Sequence, residues 1–282
     1  MNTLSNRKFI NFLAMAISVL CASVGLILLV IILYDVLSQG IDSINFRLFT
    51  QDPAPPHLND SGGLKGAFLG QGLLTLVAAV IGVPIGVLGG TYLAEYGRNA
   101  KFSKIISNIS DLTASIPSIV IGTFVYAIMV KPMGGFNGWA GATALAIIIL
   151  PVTLRTTQDM MSMVPWSLRE AAFALGAPYY KVIVSIVWRA SMSGIFTGVL
   201  LAIARVAGET APLLFTSFNH GFFTLNMQGA VPSLTVSIYQ YAASPYANWV
   251  KLAWAAAFVV TVMVLILNII GRLFIRFKVK KG

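Results

Sequence analysis

Two ionisable residues stand almost alone in an apolar stretch: Arg205 and Glu209, four apart in the run Ala202-Ile203-Ala204-Arg205-Val206-Ala207-Gly208-Glu209-Thr210-Ala211-Pro212-Leu213-Leu214-Phe215. A guanidinium is a planar fork of N–H donors, charged at any relevant pH and weakly hydrated, so it matches an oxyanion. A spacing of four puts the carboxylate on the same helix face, where it holds the fork and neutralises it. Exposed separately to lipid, each group would cost about 2.5–3.5 kcal/mol. The pair is therefore expected to face a neighbouring helix or a water-filled path. Two roles fit: a neutral staple that fixes helix packing, or an anion contact on that path. Gly194, Gly198 and Ala202 precede it at three- and four-residue spacing, the pattern of closely packed membrane helices.

Other chemistry is sparse. Arg155 ends the fourth apolar run and is either a third pathway charge or an interfacial arginine that snorkels to water. Pro84 and Pro151 lie inside apolar runs, as packing kinks or as a hinge. His57 and His220 fall in separate loops with no ligand at metal spacing. The nine acidic residues supply no paired carboxylates and no hydrolytic triad assembles. There is no G-x-x-x-x-G-K-[ST] run, so this chain does not cradle ATP phosphates. No cofactor and no metal is expected on it. The single cysteine, Cys21, excludes an intramolecular disulfide.

The elements that must position these residues follow from composition. Of 282 residues 57% are hydrophobic and 10% charged, with mean hydropathy +0.83, far beyond a soluble domain. Uncharged runs long enough to cross a bilayer as helices predict six spans: Phe12 to Tyr34, Gly66 to Ala94, Leu112 to Val130, Pro132 to Leu154, Ala190 to about Phe218 and Leu252 to Gly271. Barrel strands would be shorter and alternating. The first run is long for a signal peptide and lacks a clear cleavage site, so it is read as retained.

The 19 Lys and Arg against 9 Asp and Glu give a net charge of +10, but the bases sit between apolar runs rather than in stripes, which excludes nucleic acid as a partner. With the N-terminus inside, one side holds Arg7, Lys8, Arg98, Lys101, Lys104, Arg155, Arg169, Lys181, Arg189, Arg272, Arg276, Lys278, Lys280 and Lys281. The other holds Arg47, Lys65, Lys131 and Lys251. The positive-inside rule puts both termini in the cytoplasm, and the last five bases suit anionic membrane lipid. Outside, Pro53, Pro55, Pro56, Asn59 and Asp60 mark a loop, and Leu234 to Tyr241 predicts a short interfacial helix. The fold class is all-α integral membrane, six helices in one domain over 1–282.

One inner connection, 158–189, is polar enough to leave the membrane. Ser167 and Glu170 are spaced as a capping box, Gly176 suits a left-handed stop, and Pro178 suits the first turn of a second helix through Tyr179 to Arg189. By helix physics alone this is an amphipathic connector. Glu170-Ala171-Ala172, three residues, Gly176, nine residues and Ile186 resemble the EAA loop of ABC-importer permeases, although Trp188-Arg189 stands where many relatives have Leu-Pro. The Arg205–Glu209 run, together with Tyr92-Leu93-Ala94-Glu95-Tyr96, Pro117-Ser118-Ile119-Val120 and Ser244-Pro245-Tyr246, is similar to the phosphate branch of that family.

The resemblance implies a permease subunit of an ATP-driven phosphate importer. Glu170, Ala171, Ala172 and Gly176 would couple to a cytoplasmic ATPase dimer that binds ATP and Mg. A second permease subunit would lie alongside and a phosphate-binding protein outside, with Arg205 meeting the anion and Glu209 supporting it. It raises the anion-contact role above the staple. Permeation of another oxyanion such as molybdate or sulfate, an ATP-independent channel or secondary transporter, and a membrane enzyme are the alternatives.

Overall fold

The protein is described from a computed structural model covering residues 3–55, 62–97, 100–222 and 224–279. Pro56, His57, Asn59, Asp60, Arg98, Lys280 and Lys281 lie outside the described residues. Among the described residues there are helices and one isolated bridge, Pro53 to Gly62, and no strand.

Helix α1 spans Thr3–Ile41, and the single turn α2 covers Arg47–Thr50. Helix α3, Lys65–Tyr96, is α-helical to Thr91 and then a π-helical turn, Tyr92–Tyr96. A bent pair follows, α4 (Lys101–Ser115) and α5 (Ser118–Met133), at 104°. Next come α6 (Gly138–Ser162), the short α7 (Trp166–Ala174) and α8 (Tyr179–Val206), with a π-helical turn at Ile183–Val187. The chain ends with α9 (Ala211–Thr216), α10 (Leu234–Ala242) and α11 (Ala247–Val279). Among the described residues five helices are long and apolar enough to cross a membrane, and the bent pair makes six if it counts as one span.

Helix α6 is the centre of the bundle. Two thirds (67%) of its most apolar stretch is buried, against none of α1's, so α6 meets protein on most sides while α1 presents apolar side chains outward. Leu74, Ala78, Leu145, Ile149, Leu213 and Val236 fill the core where α3, α6, α9 and α10 meet. Gly82, Gly86 and Gly90 form a stripe on α3 that lets its backbone close on α6. A Cβ at Gly82 would stand 2.9 Å from the Ala146 carbonyl oxygen, and one at Gly86 3.0 Å from that of Leu150. Tight small-residue packing of this kind replaces the hydrophobic drive that lipid removes. On the other flank of α6, Gly194 and Gly198 of α8 accommodate Met160 and Thr156, as their spacing predicted.

The structure redraws four of the expected elements. The third span is not one helix: a residue before proline avoids the α region, and Ile116, preceding Pro117, takes φ −70° and ψ 131°. The fourth begins at Gly138 rather than Pro132, because Gly134 takes a left-handed φ of 80° and Asn137 caps α6, its Oδ1 accepting from the Ala140 amide at 2.8 Å. The fifth starts at Tyr179 and ends at Val206, so the expected second helix of the loop is the first part of a span; of 158–189, only 163–178 lies between long helices. Finally, α10 packs one face into the bundle. Leu234, Thr235, Val236, Ser237 and Tyr241 are all buried, and Ser233 caps it from the side chain.

Candidate functional site

Arg205 occupies the last turn of α8, and the helix unwinds before Glu209 is reached. Gly208 is a poor helix former, and Pro212 has no N–H and would clash with the carbonyl four residues back. The pair expected on one helix face is thus carried by a helix end and a loop. Arg205 Nε stands 3.8 Å from Glu209 Oε1, a loose contact, with 58% of the arginine side chain exposed against 17% of the glutamate. The Glu209 backbone carbonyl accepts from Thr235 Oγ1 at 2.9 Å, so α10 fixes the unwound segment.

Arg205 lines a cavity of about 250 Å³ at the bend between α4 and α5, lined also by Thr113, Ser115, Pro117, Ser118 and Pro151. Ser118 begins α5 directly after Pro117, so the first amides of that helix lack intrahelical acceptors. Arg205 and the hydroxyl residue Ser118 line one space, and a guanidinium and a hydroxyl are donors that an oxyanion accepts. Pro151, read as a kink or hinge, is a wall of this cavity. The bend in the third span builds the cavity, and a straight helix would not.

Arg155 does not line it. Its Nη1 donates to Ser107 Oγ at 3.1 Å and to Gln158 Oε1 at 3.2 Å, and Nη2 lies 3.8 Å from Asp111. Arg155 ties α6 to α4 with about half its side chain exposed. Asp111 as its partner was not foreseen. His220 accepts from the Phe222 amide at 3.3 Å, and no group of three metal-binding side chains exists among the described residues.

The second site is α7. Its N-cap is Pro165, with no side-chain bond, so Ser167 lies inside the first turn and the expected capping box with Glu170 does not form. Proline ahead of Trp166 starts the helix one residue early. The C-terminus behaves as expected: Gly176 takes φ 78°, the Gly176 amide donates to the Phe173 carbonyl at 2.9 Å and the Ala177 amide to that of Ala172 at 3.1 Å, the two bonds of a Schellman stop. Glu170 and Ala171 face outward, whereas Ala172 is buried. Leu175 is 89% exposed, so the end of α7 offers an apolar surface.

Beneath α7 lies an arrangement that sequence reasoning missed. Arg169 Nη2 donates to Glu95 Oε1 at 2.6 Å and to the Met161 carbonyl at 3.1 Å; Nη1 donates to the Val164 carbonyl at 2.6 Å. Tyr179 Oη donates to the Glu95 backbone carbonyl at 2.8 Å. Arg169 and Glu95 are 4% and 8% exposed. Glu95 stood in one quoted motif and Arg169 beside another, but nothing local links residues so far apart.

These features define a helical bundle of the membrane-spanning class, with an arginine on a cavity and a short helix presented on a turn. The family model for the binding-protein-dependent transport system inner membrane component matches residues 82–280. Among similar proteins, the phosphate transport system permease protein PstA of Haemophilus influenzae is 48% identical over 273 residues, 96% of each chain. That of Yersinia pestis is 47% identical over 266 residues, covering 94% of this chain and 90% of its own. A solved structure of the MetNI methionine ABC transporter in an inward-facing conformation aligns with a TM-score of 0.59 at 19% identity, covering 75% of this chain and 92% of that one. The chain belongs to the binding-protein-dependent transport system inner membrane component family.

Proposed function

We propose that this chain is a permease subunit of an ATP-driven inorganic phosphate importer, forming half of the translocation path. The observation that carries this reading is Arg205: a side chain more than half exposed, only loosely held by Glu209, lining a cavity together with Ser118. A staple would present a close, buried pair. The names of relatives at 48% and 47% identity supply phosphate as the anion.

Both termini and α7 lie on the cytoplasmic side, in keeping with the distribution of bases. Glu170, Ala171, Ala172 and Gly176 shape the docking knob for a PstB-type ATPase dimer, which binds ATP and Mg. A PstC-type second permease completes the path, and a PstS-type binding protein delivers the anion from outside. ATP-driven closure of the ATPases moves the two knobs and rocks the permeases between inward- and outward-open arrangements. The released anion passes Arg205, which exchanges a loose carboxylate for a phosphate oxygen.

The test is uptake by the assembled complex in proteoliposomes with labelled phosphate, molybdate and sulfate. ATP-dependent phosphate uptake that excess molybdate does not suppress is expected. Uptake without ATP points to a channel, and preference for molybdate or sulfate overturns the substrate.

A further inference from the structure

Helix α7 rests on its own chain through few buried side chains. Of its nine residues only Arg169 and Ala172 are buried, and Ala172 offers one methyl group. The polar attachment is the Arg169 guanidinium, which donates to both oxygens of Glu95, at 2.6 and 3.4 Å, and to the carbonyls of Met161 in α6 and Val164 just beyond it; the Phe173 ring also stacks on that of Tyr179 with centroids 5.9 Å apart. It also lies 5.3 Å from the Trp166 ring centroid. Glu95 belongs to the last turn of α3, and its backbone carbonyl is held by the hydroxyl of Tyr179, the first residue of α8. Four elements thus meet on one buried charge pair.

We propose that Glu95, Arg169 and Tyr179 form a transmission latch: positioning residues that convert displacement of α7 into displacement of α3 and α8, and so of Arg205. This rests on α7 being the ATPase docking element. Pulling α7 away from α3 would strand two opposite charges out of water, among the costliest changes a folded chain can make, so the three elements move together. Compliance is available where the latch meets its helices: Glu95 itself sits in the π-helical turn Tyr92–Tyr96, and α8 has another at Ile183–Val187, while a third, Tyr126–Val130, lies in α5; such turns interrupt the regular ladder and are frequent at functional sites. Met161, Val164, Ile183 and Val187 pack together nearby, with Tyr179 against them. From Tyr179, α8 extends about 40 Å to Arg205, one continuous helix from the latch to the cavity.

The experiment uses the whole transporter in proteoliposomes, with Glu95→Gln, Arg169→Lys and Tyr179→Phe in a Cys21→Ser background that also carries Ala171→Cys. Two readouts are taken: thiol cross-linking of position 171 to the ATPase, and phosphate transported per ATP hydrolysed. We expect cross-linking in every assembled variant. Transport per ATP should fall about tenfold in Glu95→Gln and Arg169→Lys, and by a smaller factor in Tyr179→Phe. A purely structural role predicts less assembled complex with an unaltered ratio in what remains; that result overturns the latch. Should the two charge variants fail to assemble, Tyr179→Phe decides, and a wild-type ratio there overturns it equally. Failure of position 171 to cross-link in the otherwise unaltered chain refutes the docking role of α7 instead.

Discussion

Arg169 Nη2 lies 2.6 Å from Glu95 Oε1 although 74 positions separate the two in the chain. The geometry is two-pronged, since Nε also reaches Oε2 at 3.4 Å. Such a pair repays the desolvation of its charges only while both members are present. Arg169→Met alone should therefore destabilise the subunit by about 3–5 kcal/mol, because Glu95 stays buried without its partner. Combined Arg169→Met and Glu95→Leu should regain much of that loss. Thermal unfolding of the purified complex measures both; a double variant no more stable than the single would show that the carbonyls of Met161 and Val164, rather than Glu95, dominate the cost.

Arg205 yields a second prediction. Arg205→Lys keeps one charge but loses the fork, and hydrogen bonds to charged groups contribute about 1.5–3 kcal/mol each, so phosphate uptake should fall by roughly tenfold or more. Arg205→Ala should be worse. Adding Glu209→Ala separates the two roles, because a staple loses both charges at little cost and recovers. On the anion-contact role the double variant stays inactive. Uptake normalised to membrane-inserted complex is the measurement, and near wild-type uptake in the double variant would make Arg205 structural.

Gly176 gives a third. A β-branched residue at φ 78° carries strain of about 1–3 kcal/mol. No heavy atom of this chain lies within 4 Å of a Cβ built there, so within the subunit a Cβ at position 176 introduces strain and not a clash. The variant should insert normally yet lose phosphate-dependent ATPase activity. Full activity would show that the turn tolerates another shape.

The fourth concerns orientation. His220 and Leu175 are both exposed; Leu175 precedes α8 in the chain, and His220 follows it beyond α9. In a Cys21-free background, His220→Cys should react with an impermeant thiol reagent added to intact cells, and Leu175→Cys should react only after the membrane is opened. Labelling of Leu175→Cys from outside would invert the topology.

Much of the bundle was legible from residue type alone. Apolar length specifies a membrane helix because the bilayer satisfies no backbone amide, so each span must bond within itself. Local rules also predicted the left-handed stop at Gly176 and the close packing at Gly194 and Gly198, since both depend on a side chain's absence. Where proline enters, local signals competed. Pro117 was absorbed into an apolar run, though its effect on Ile116 bends the third span by 104°, and Pro165 displaced the cap expected at Ser167.

Thus hydropathy and charge spacing by themselves determined the class of molecule, the place of its long apolar helices, and that Arg205 and Glu209 are a pair requiring company. Only the tertiary structure decided what company. The cavity at Arg205 exists because α5 turns away from α4 beside Pro151, and the socket beneath α7 because Glu95 arrives from the end of α3. Both depend on contacts between residues distant in the chain, which composition, spacing and helix period do not encode. A buried charge finds its partner by where the packed helices end.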